Sequence, residues 1–404
     1  MRWALTGLVA LLLAAGCAKE SSLPTPTGKG TIRAINAITN APNVAFRIEE
    51  RSVESIAWKA ASGGVRFDDF SYDFNFDTVL TGNLTSTRVA TVTQKIDASH
   101  DYTFVLTGSL NSPTVTVWEA DEPQFSENAT TMLMRFGHLA ATLGDFDVYA
   151  AEAGVAPVAG MAIATATYGD VTDYVEIESD SLVITITESN DPDAIVFQSS
   201  SLAFNARTAY FLMMFDGDDA NAAEYELRLA TNSTGGTALA DARVPPTLRL
   251  MQTAIDLPLA DIYQDEDLTD LLVENHAFGN ITGDLPISAG TNEFTYTAAD
   301  NIGSILLEEN VTAASGVPYN IVTYPDDTDF DATAFVSDRR SVSTYAKMRV
   351  FNGVSNFEAL DLYVVDADES IDDAFPRQGL AFPSLGTTLT LTAGSRDLYV
   401  TDVG

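Results

Sequence analysis

A motif that recurs four times constrains the fold of this 404-residue chain more than any other feature of its sequence. Each copy opens with an apolar residue followed by arginine, and successive arginines lie about 100 residues apart. Self-similarity at a fixed period indicates an array of similar structural units. The four arginines are Arg33, Arg135, Arg249 and Arg349.

Two further blocks recur at similar offsets within these copies. An Asp-aliphatic-Tyr triplet begins twelve residues after the arginine in copies two to four, whereas copy one has Ala45-Phe46-Arg47 there. A tyrosine that opens an apolar run follows later in copies one to three. Gap-free agreement at several places makes a chance match improbable. The triplets begin at Asp147, Asp261 and Asp361, and the later tyrosines are Tyr102, Tyr210 and Tyr319.

Alternation of apolar or β-branched residues with threonine predicts antiparallel strands. The pattern is clearest at residues 114–118, 182–187 and 388–392, and a period of two is typical of half-buried strands. Units of this size with turns every ten or so residues predict an all-β array of immunoglobulin-like (Ig-like) β-sandwiches. We place three whole sandwiches at residues 31–125, 131–235 and 245–340. The best helical window, Asp267 to Val273, predicts a short helical insert.

The fourth copy, residues 346–404, is shorter than the others and is predicted to be a partial sandwich. Half a sandwich would expose strand edges and an apolar face. Two interpretations stay open: the reading frame continues, or a partner chain supplies the missing strands.

The first seventeen residues predict a secreted and lipid-anchored protein. Residues 1–16 combine Arg2, an apolar run too short to span a bilayer, and small residues before Cys17, which is typical of a signal peptide. The segment resembles a bacterial lipobox, which implies cleavage before Cys17 and acylation of its thiol. Ala18 follows, and in enteric-type sorting this implies delivery to the outer membrane. Residues 17–30 then form a flexible tether.

The recurring blocks as a whole resemble the domain-of-unknown-function 4397 (DUF4397) family. The shared elements are the apolar-Arg start, the Asp-aliphatic-Tyr triplet, Tyr168-Gly169-Asp170-Val171-Thr172 with its counterpart Phe278-Gly279-Asn280-Ile281-Thr282, and the late tyrosine. This resemblance implies tandem extracytoplasmic domains of bacterial lipoproteins or wall-attached proteins, with a structural or interaction role. It carries no catalytic residue over to this chain.

The charge balance excludes some partners. The chain has 57 Asp and Glu against 21 Lys and Arg, a formal net charge of −36. Nucleic-acid binding is therefore excluded, because basic residues supply most of that affinity. Anionic lipids would repel the domains, so the membrane is expected as a partner only through the lipid on Cys17. The protein or glycan ligand of the domains is not identified by the sequence.

The repeated polar residues are expected to serve the fold. We expect each arginine to pair with a carboxylate of its own domain, with ligand anchoring as the alternative, and the repeated aspartates to bond turns. His100, His138 and His276 occupy non-equivalent positions, so neither a metal site nor a catalytic triad is predicted. No catalytic, cofactor or metal residue is assigned, and an enzyme is not expected.

Acidic loops keep two alternatives open. Asp327, Asp329, Asp331 and Asp338 half-imitate a calcium loop, but Ala332 stands where the turn requires glycine. Asp216 to Asp219 and Asp265 to Asp267 imitate one less well. Weak calcium binding, or a calcium- or glycan-binding module, is therefore one alternative. A carboxylate-dependent envelope hydrolase is the other.

Overall fold

The computed structural model describes residues 24–80, 85–218, 223–265, 267–326, 329–372 and 374–403. Cys17 and the signal segment lie outside the described residues. All the regular elements of the described part are β-strands, which confirms the all-β prediction. No helix in this part is long and apolar enough to cross a bilayer.

Repeat 1 is a sandwich of two four-stranded sheets, ordered β4-β1-β7-β8 and β3-β2-β5-β6. Its core contains Phe46, Phe74 and Phe104, whose rings contact one another. Its strands are β1 (Lys29–Asn36), β2 (Val44–Ile48), β3 (Arg51–Ile56), β4 (Val65–Asp68), β5 (Ser71–Val79), β6 (Ser86–Lys95), β7 (His100–Ser109) and β8 (Ser112–Asp121).

Repeat 2 has the same plan with extra edge strands, in sheets ordered β12-β9-β16-β17-β18 and β11-β10-β13-β14, with β15 also on β13. The predicted strand at residues 182–187 lies within β13. The strands are β9 (Thr131–Leu139), β10 (Phe146–Ala151), β11 (Ala164–Ala166), β12 (Val175–Glu178), β13 (Ser181–Glu188), β14 (Ile195–Gln198), β15 (Leu202–Ala203), β16 (Ala209–Asp216), β17 (Tyr225–Thr231) and β18 (Thr234–Leu239).

Repeat 3 has sheets ordered β22-β19-β25-β26 and β21-β20-β23-β24. The helical prediction at Asp267 to Val273 is wrong: a turn precedes a strand that begins at Leu271, and Leu272 and Val273 pack on the core. The strands are β19 (Thr247–Gln252), β20 (Ala260–Tyr263), β21 (Leu271–His276), β22 (Leu285–Pro286), β23 (Gly290–Ala298), β24 (Asn301–Ala313), β25 (Pro318–Asp326) and β26 (Asp329–Val336).

The described part of repeat 4 contains the pairs β27-β32 and β28-β31 and a three-stranded sheet ordered β30-β29-β33. Its core among the described residues centres on Leu362, Val364 and Leu380. The strands are β27 (Ala346–Met348), β28 (Phe351–Asn352), β29 (Ala359–Asp366), β30 (Gln378–Ala381), β31 (Ser384–Leu385), β32 (Leu389–Leu391) and β33 (Arg396–Asp402).

The first strand of each whole repeat departs from the antiparallel prediction. It pairs in parallel with the strand that carries the late tyrosine: β1 with β7, β9 with β16, and β19 with β25. Parallel neighbours need a long crossover, and the strands of the opposite sheet provide it. The motif arginine therefore lies in an inner strand of its sheet.

Candidate functional site

Repeats 1 and 2 pack face to face through the sheets that contain β1 and β9. Successive residues of a strand point to opposite faces, so Ile32 and Ala34 enter the core of repeat 1 while Arg33 and Ile35 face repeat 2. One half of this interface is apolar. It is a separate buried cluster with members from both repeats: Ile35, Ala61, Val105, Trp118, Leu139, Phe211, Met213, Phe215 and Ala230.

In the apolar half of the interface, Trp118 of repeat 1 contacts repeat 2 in two ways. Its indole Nε1 donates to the carbonyl oxygen of Gly169 in repeat 2 at 2.9 Å. Its ring meets Phe211 edge to face, with centroids 6.0 Å apart. Gly137 allows this approach, because a Cβ there would lie 2.9 Å from the indole.

The polar half contains the motif arginines of both repeats, each at most 2% exposed. Arg33 donates from Nη2 to Asn232 Oδ1 at 2.8 Å and from Nη1 to the Thr231 carbonyl oxygen at 3.2 Å. Both acceptors belong to the β17–β18 turn of repeat 2. The prediction that Arg33 pairs with a carboxylate of its own domain is wrong, because the strand aims its side chain at the neighbouring repeat.

Arg135 makes the reciprocal contact to repeat 1. Its Nη2 donates to Thr103 Oγ1 at 3.2 Å. Its guanidinium lies over the rings of Phe211 and Tyr174, 4.5 and 4.9 Å from their centroids. Arg135 therefore also bonds across the interface, and the prediction of a carboxylate partner within its own domain is wrong for it as well.

Asp101 is the acidic member of this polar half. It lies beside Thr31 in the β1–β7 register and is 2% exposed. Neither of its carboxylate oxygens has a hydrogen-bond partner among the described residues. The nearby Thr31 hydroxyl donates instead to Glu122 Oε1, at 2.9 Å. Burial raises the pKa of Asp101, and the positive charges of Arg33 and Arg135, together with the nearby Thr31 hydroxyl, oppose that shift only in part.

The Arg135 guanidinium also acts on Arg33. The pKa of Arg33 is lowered by its burial and then by repulsion from Arg135, while Asp101 acts in the opposite direction. Burial raises the pKa of Tyr174, whose ring Arg135 covers. The interface therefore holds two buried cations and one buried carboxylate whose hydrogen-bonding capacity is unused.

A cavity of about 400 Å³ opens beside Asp101 at the edge of the interface. Arg66 and Glu122 form one side of it, with Nη2 of Arg66 3.1 Å from Oε1 of Glu122. The Asn232 side chain comes from repeat 2. The polar lining residues are Thr31, Arg66, Asp101, Glu122, Gln124 and Asn232.

An ion pair crosses the interface farther along. The Lys59 ammonium lies 2.9 Å from Glu226 of repeat 2 and 4.2 Å from the centroid of the Trp58 ring. The guanidinium of Arg340, from the linker between repeats 3 and 4, also lies over this ring, at 5.0 Å. The linker bonds to repeat 1 as well, through Ser343 N and the Asn40 carbonyl oxygen at 2.9 Å.

Repeats 3 and 4 meet in a comparable arrangement. Arg349 of repeat 4 donates to the Val336 carbonyl oxygen of repeat 3 at 3.3 Å and lies over the Phe335 ring. The prediction of a carboxylate partner is wrong for Arg349. It is confirmed for Arg249, whose Nε donates to Asp284 Oδ1 at 3.0 Å within repeat 3. A groove of about 450 Å³ lies between the two repeats.

Two of the three repeated aspartates, Asp147 and Asp261, bond turns as predicted. Asp147 Oδ2 accepts from the backbone N–H of Asn190 at 2.8 Å. Asp261 accepts from the backbone N–H groups of Asn275 and Asp300. Asn190 and Asp300 lie in turns and Asn275 in the irregular part of β21, and all three have positive φ, so the carboxylates stabilise a left-handed backbone conformation.

The histidines lie in different repeats and do not converge. His138 is buried, and its Nε2 lies 2.9 Å from the Gly144 carbonyl oxygen. Burial lowers the pKa of both His138 and His276. The pKa of His100 is raised, chiefly by its hydrogen bond to the Ala98 carbonyl oxygen.

The acidic loops gather no set of ligands among the described residues. Most of the segment that half-imitates a calcium loop is the β25–β26 hairpin, in which Asp331 accepts from the Tyr324 hydroxyl. Asp338 follows β26 and pairs with Lys347. Asp327 lies outside the described residues. Within the described part, no group of three His, Cys, Asp or Glu side chains is placed to hold a metal.

Sequence reasoning missed the residues that meet these arginines. Asp101, Thr103, Trp118 and Asn232 occur in repeat 1 or repeat 2 without a constant counterpart in the other copies. One signal was present: Asp101 is a charged residue directly before the repeated Tyr102, in a strand whose centre is the apolar run 104–106.

Comparison with known families agrees with the repeat analysis. A family model described as "Domain of unknown function (DUF4397)" matches residues 30–149 and 246–363. Each match covers one odd-numbered repeat and continues through the Asp-aliphatic-Tyr triplet of the next. No curated protein matches the chain.

Proposed function

From the premise that this chain belongs to the DUF4397 family, we propose that it is a lipid-anchored envelope protein whose tandem sandwiches form a rigid, non-catalytic interaction scaffold. The observation that carries the proposal is the interface between repeats 1 and 2. There the motif arginines bond across to the neighbouring repeat and are buried. Three of the four motif arginines, Arg33, Arg135 and Arg349, thus bond to a neighbouring repeat.

The interface supports rigidity because it has the composition of a domain core. Its centre is an apolar cluster that contains Trp118 and Phe211, and polar contacts flank it: Arg33 bonds to Asn232, and Lys59 pairs with Glu226. Relative motion of linked domains is the default unless their interface is large and hydrophobic. Repeats 1 and 2 are therefore expected to move as one body and to present their loops at fixed positions.

The anchor is supported by the sequence alone. Cys17 follows a signal-like segment and is the single cysteine of the chain. Acyl chains on this residue would hold the protein at the envelope, most simply at the outer membrane. The net charge of −36 would then keep the domains away from anionic headgroups.

Lipid attachment is tested by metabolic labelling with a palmitate analogue in a bacterial host. We expect label on the full chain and on Ser22→Ala, a control in the tether, and none on Cys17→Ala. The Cys17→Ala protein should also leave the membrane fraction. Label that persists in Cys17→Ala would contradict the anchor, because the chain has no other thiol to carry a thioether.

A further inference from the structure

We infer that the cavity beside Asp101 binds a neutral polyhydroxyl ligand, a single sugar unit of a glycan. The inference rests on the proposed interaction role and names a ligand class for it. Lipid attachment at Cys17 is independent of it, so either can fail without the other.

The hydrogen-bonding groups of the cavity match hydroxyl groups. Asp101 is 2% exposed, and both of its oxygens lack a partner in the described part of the chain. An ionised carboxylate only accepts hydrogen bonds, whereas the Arg66 guanidinium only donates them. A hydroxyl does both, so a polyol can donate to Asp101 and accept from Arg66 at once. The Gln124 and Asn232 amides add groups of both kinds.

The charges around the cavity disfavour simple ions. A cation bound to Asp101 would lie near Arg33 and Arg135, which are close enough to act on the pKa of this carboxylate. An anion would meet the carboxylates of Asp101 and Glu122 at the cavity wall. A neutral ligand avoids both repulsions. It also satisfies buried groups whose unused bonding capacity is costly.

The size and position of the cavity are suitable for a small ligand. Its volume of about 400 Å³ lies within the usual range of small-molecule sites. It lies at a junction between two domains, where such sites are common. The wall is held in place by bonds that need no ligand, since Glu122 already accepts from Thr31 and Arg66.

The test is saturation-transfer NMR and calorimetry on the full chain with glucose, galactose, mannose and N-acetylglucosamine as probes. We expect at least one of them to bind. Asp101→Asn should weaken that sugar at least tenfold, because an amide replaces one acceptor oxygen by a donor. Asp121→Asn makes the same change on a side chain that is 93% exposed and should leave binding unchanged.

Gln124→Ala is a second variant, which trims an exposed wall residue and leaves the interface intact. It should also weaken the sugar. The inference is overturned if none of the four sugars binds, which would mean that the cavity holds only water. It is equally overturned if Asp101→Asn and Gln124→Ala bind like the unmodified chain, or if methylammonium or calcium chloride binds at Asp101 and the sugars do not.

Discussion

At the scale of single residues, Asp101 and the two arginines determine the character of the interface between repeats 1 and 2. The arginines have partners across the interface, whereas the carboxylate of Asp101 has none among the described residues. A carboxylate that is buried without hydrogen bonds loses the free energy of its hydration, and nearby positive charges compensate for that loss only in part. The raised pKa of Asp101 reflects that loss.

This predicts that Asp101→Asn does not destabilise the protein at neutral pH. Because the folded-state pKa is raised, the folded protein binds the proton more tightly than the unfolded chain does. Stability therefore falls as pH rises from the ordinary value of 3.8 through the folded pKa. Asp101→Asn removes this term, so its free energy of unfolding should equal or exceed that of the unmodified chain at pH 7.

Denaturant unfolding at pH 7 and at lower pH would measure this difference. The advantage of Asp101→Asn should shrink as the pH approaches 3.8. The exposed control Asp121→Asn should show no advantage at pH 7 and at most a loss on acidification, because Asp121 lies 3.4 Å from His100. If Asp101→Asn loses more than about 1 kcal/mol at pH 7, the arginines depend on this carboxylate and the interpretation fails.

The sequence predicted the roles of some of these side chains and not of others. The arginines were found by their repetition, and the turn-bonding role of Asp147 and Asp261 was correctly predicted. The partners of Arg33 and Arg135 were not predicted, because a strand pattern indicates which residues share a face but not what packs on that face. Thr103 and Asn232 become the hydrogen-bond partners of Arg135 and Arg33 only when repeats 1 and 2 pack together.

At the level of elements, the first strand of each whole repeat contains the motif arginine and is an inner strand of its sheet. Alternation predicted strands at residues 114–118 and 182–187, and both lie within longer strands. The parallel pairing of β1 with β7 was not predicted, because alternation does not encode strand direction. The helical window near Asp267 failed because tertiary packing of Leu272 and Val273 overrode local periodicity.

Close packing of β9 against Trp118 gives a test at this scale. Gly137→Ala would place a methyl group 2.9 Å from the indole ring, so the ring or the strand must shift. We expect a loss of about 1–3 kcal/mol in the free energy of unfolding, together with a change in Trp118 fluorescence.

Gly144→Ala is the matched control, because a Cβ at that position has no neighbour within 4 Å. It should be neutral or slightly stabilising. Equal stability of the two alanine variants would contradict the close approach of the repeats at Gly137.

At the scale of the whole molecule, the array is organised in pairs of repeats. Repeats 1 and 2 share an interface core, repeats 3 and 4 meet through Arg349 and Phe335, and the linker at Arg340 and Ser343 packs on repeat 1. The sequence indicated the number of repeats but not their pairing, because docking depends on contacts between residues of different repeats, such as Arg33 and Asn232, that no local pattern links. The acidic surface is compatible with a body held away from a membrane by a tether.

Repeats 1 and 2 are proposed to form one rigid body. The distance between a spin label on repeat 1 and a spin label on repeat 2 measures whether they do. Replacing Cys17 leaves the chain without a natural thiol, so labels can be placed at Ser112→Cys in repeat 1 and Ser201→Cys in repeat 2, both exposed positions. A rigid pair of repeats gives one narrow distance distribution, which should broaden in Gly137→Ala. A broad distribution in the unmodified interface, as for domains on a flexible linker, would contradict the proposed rigid body.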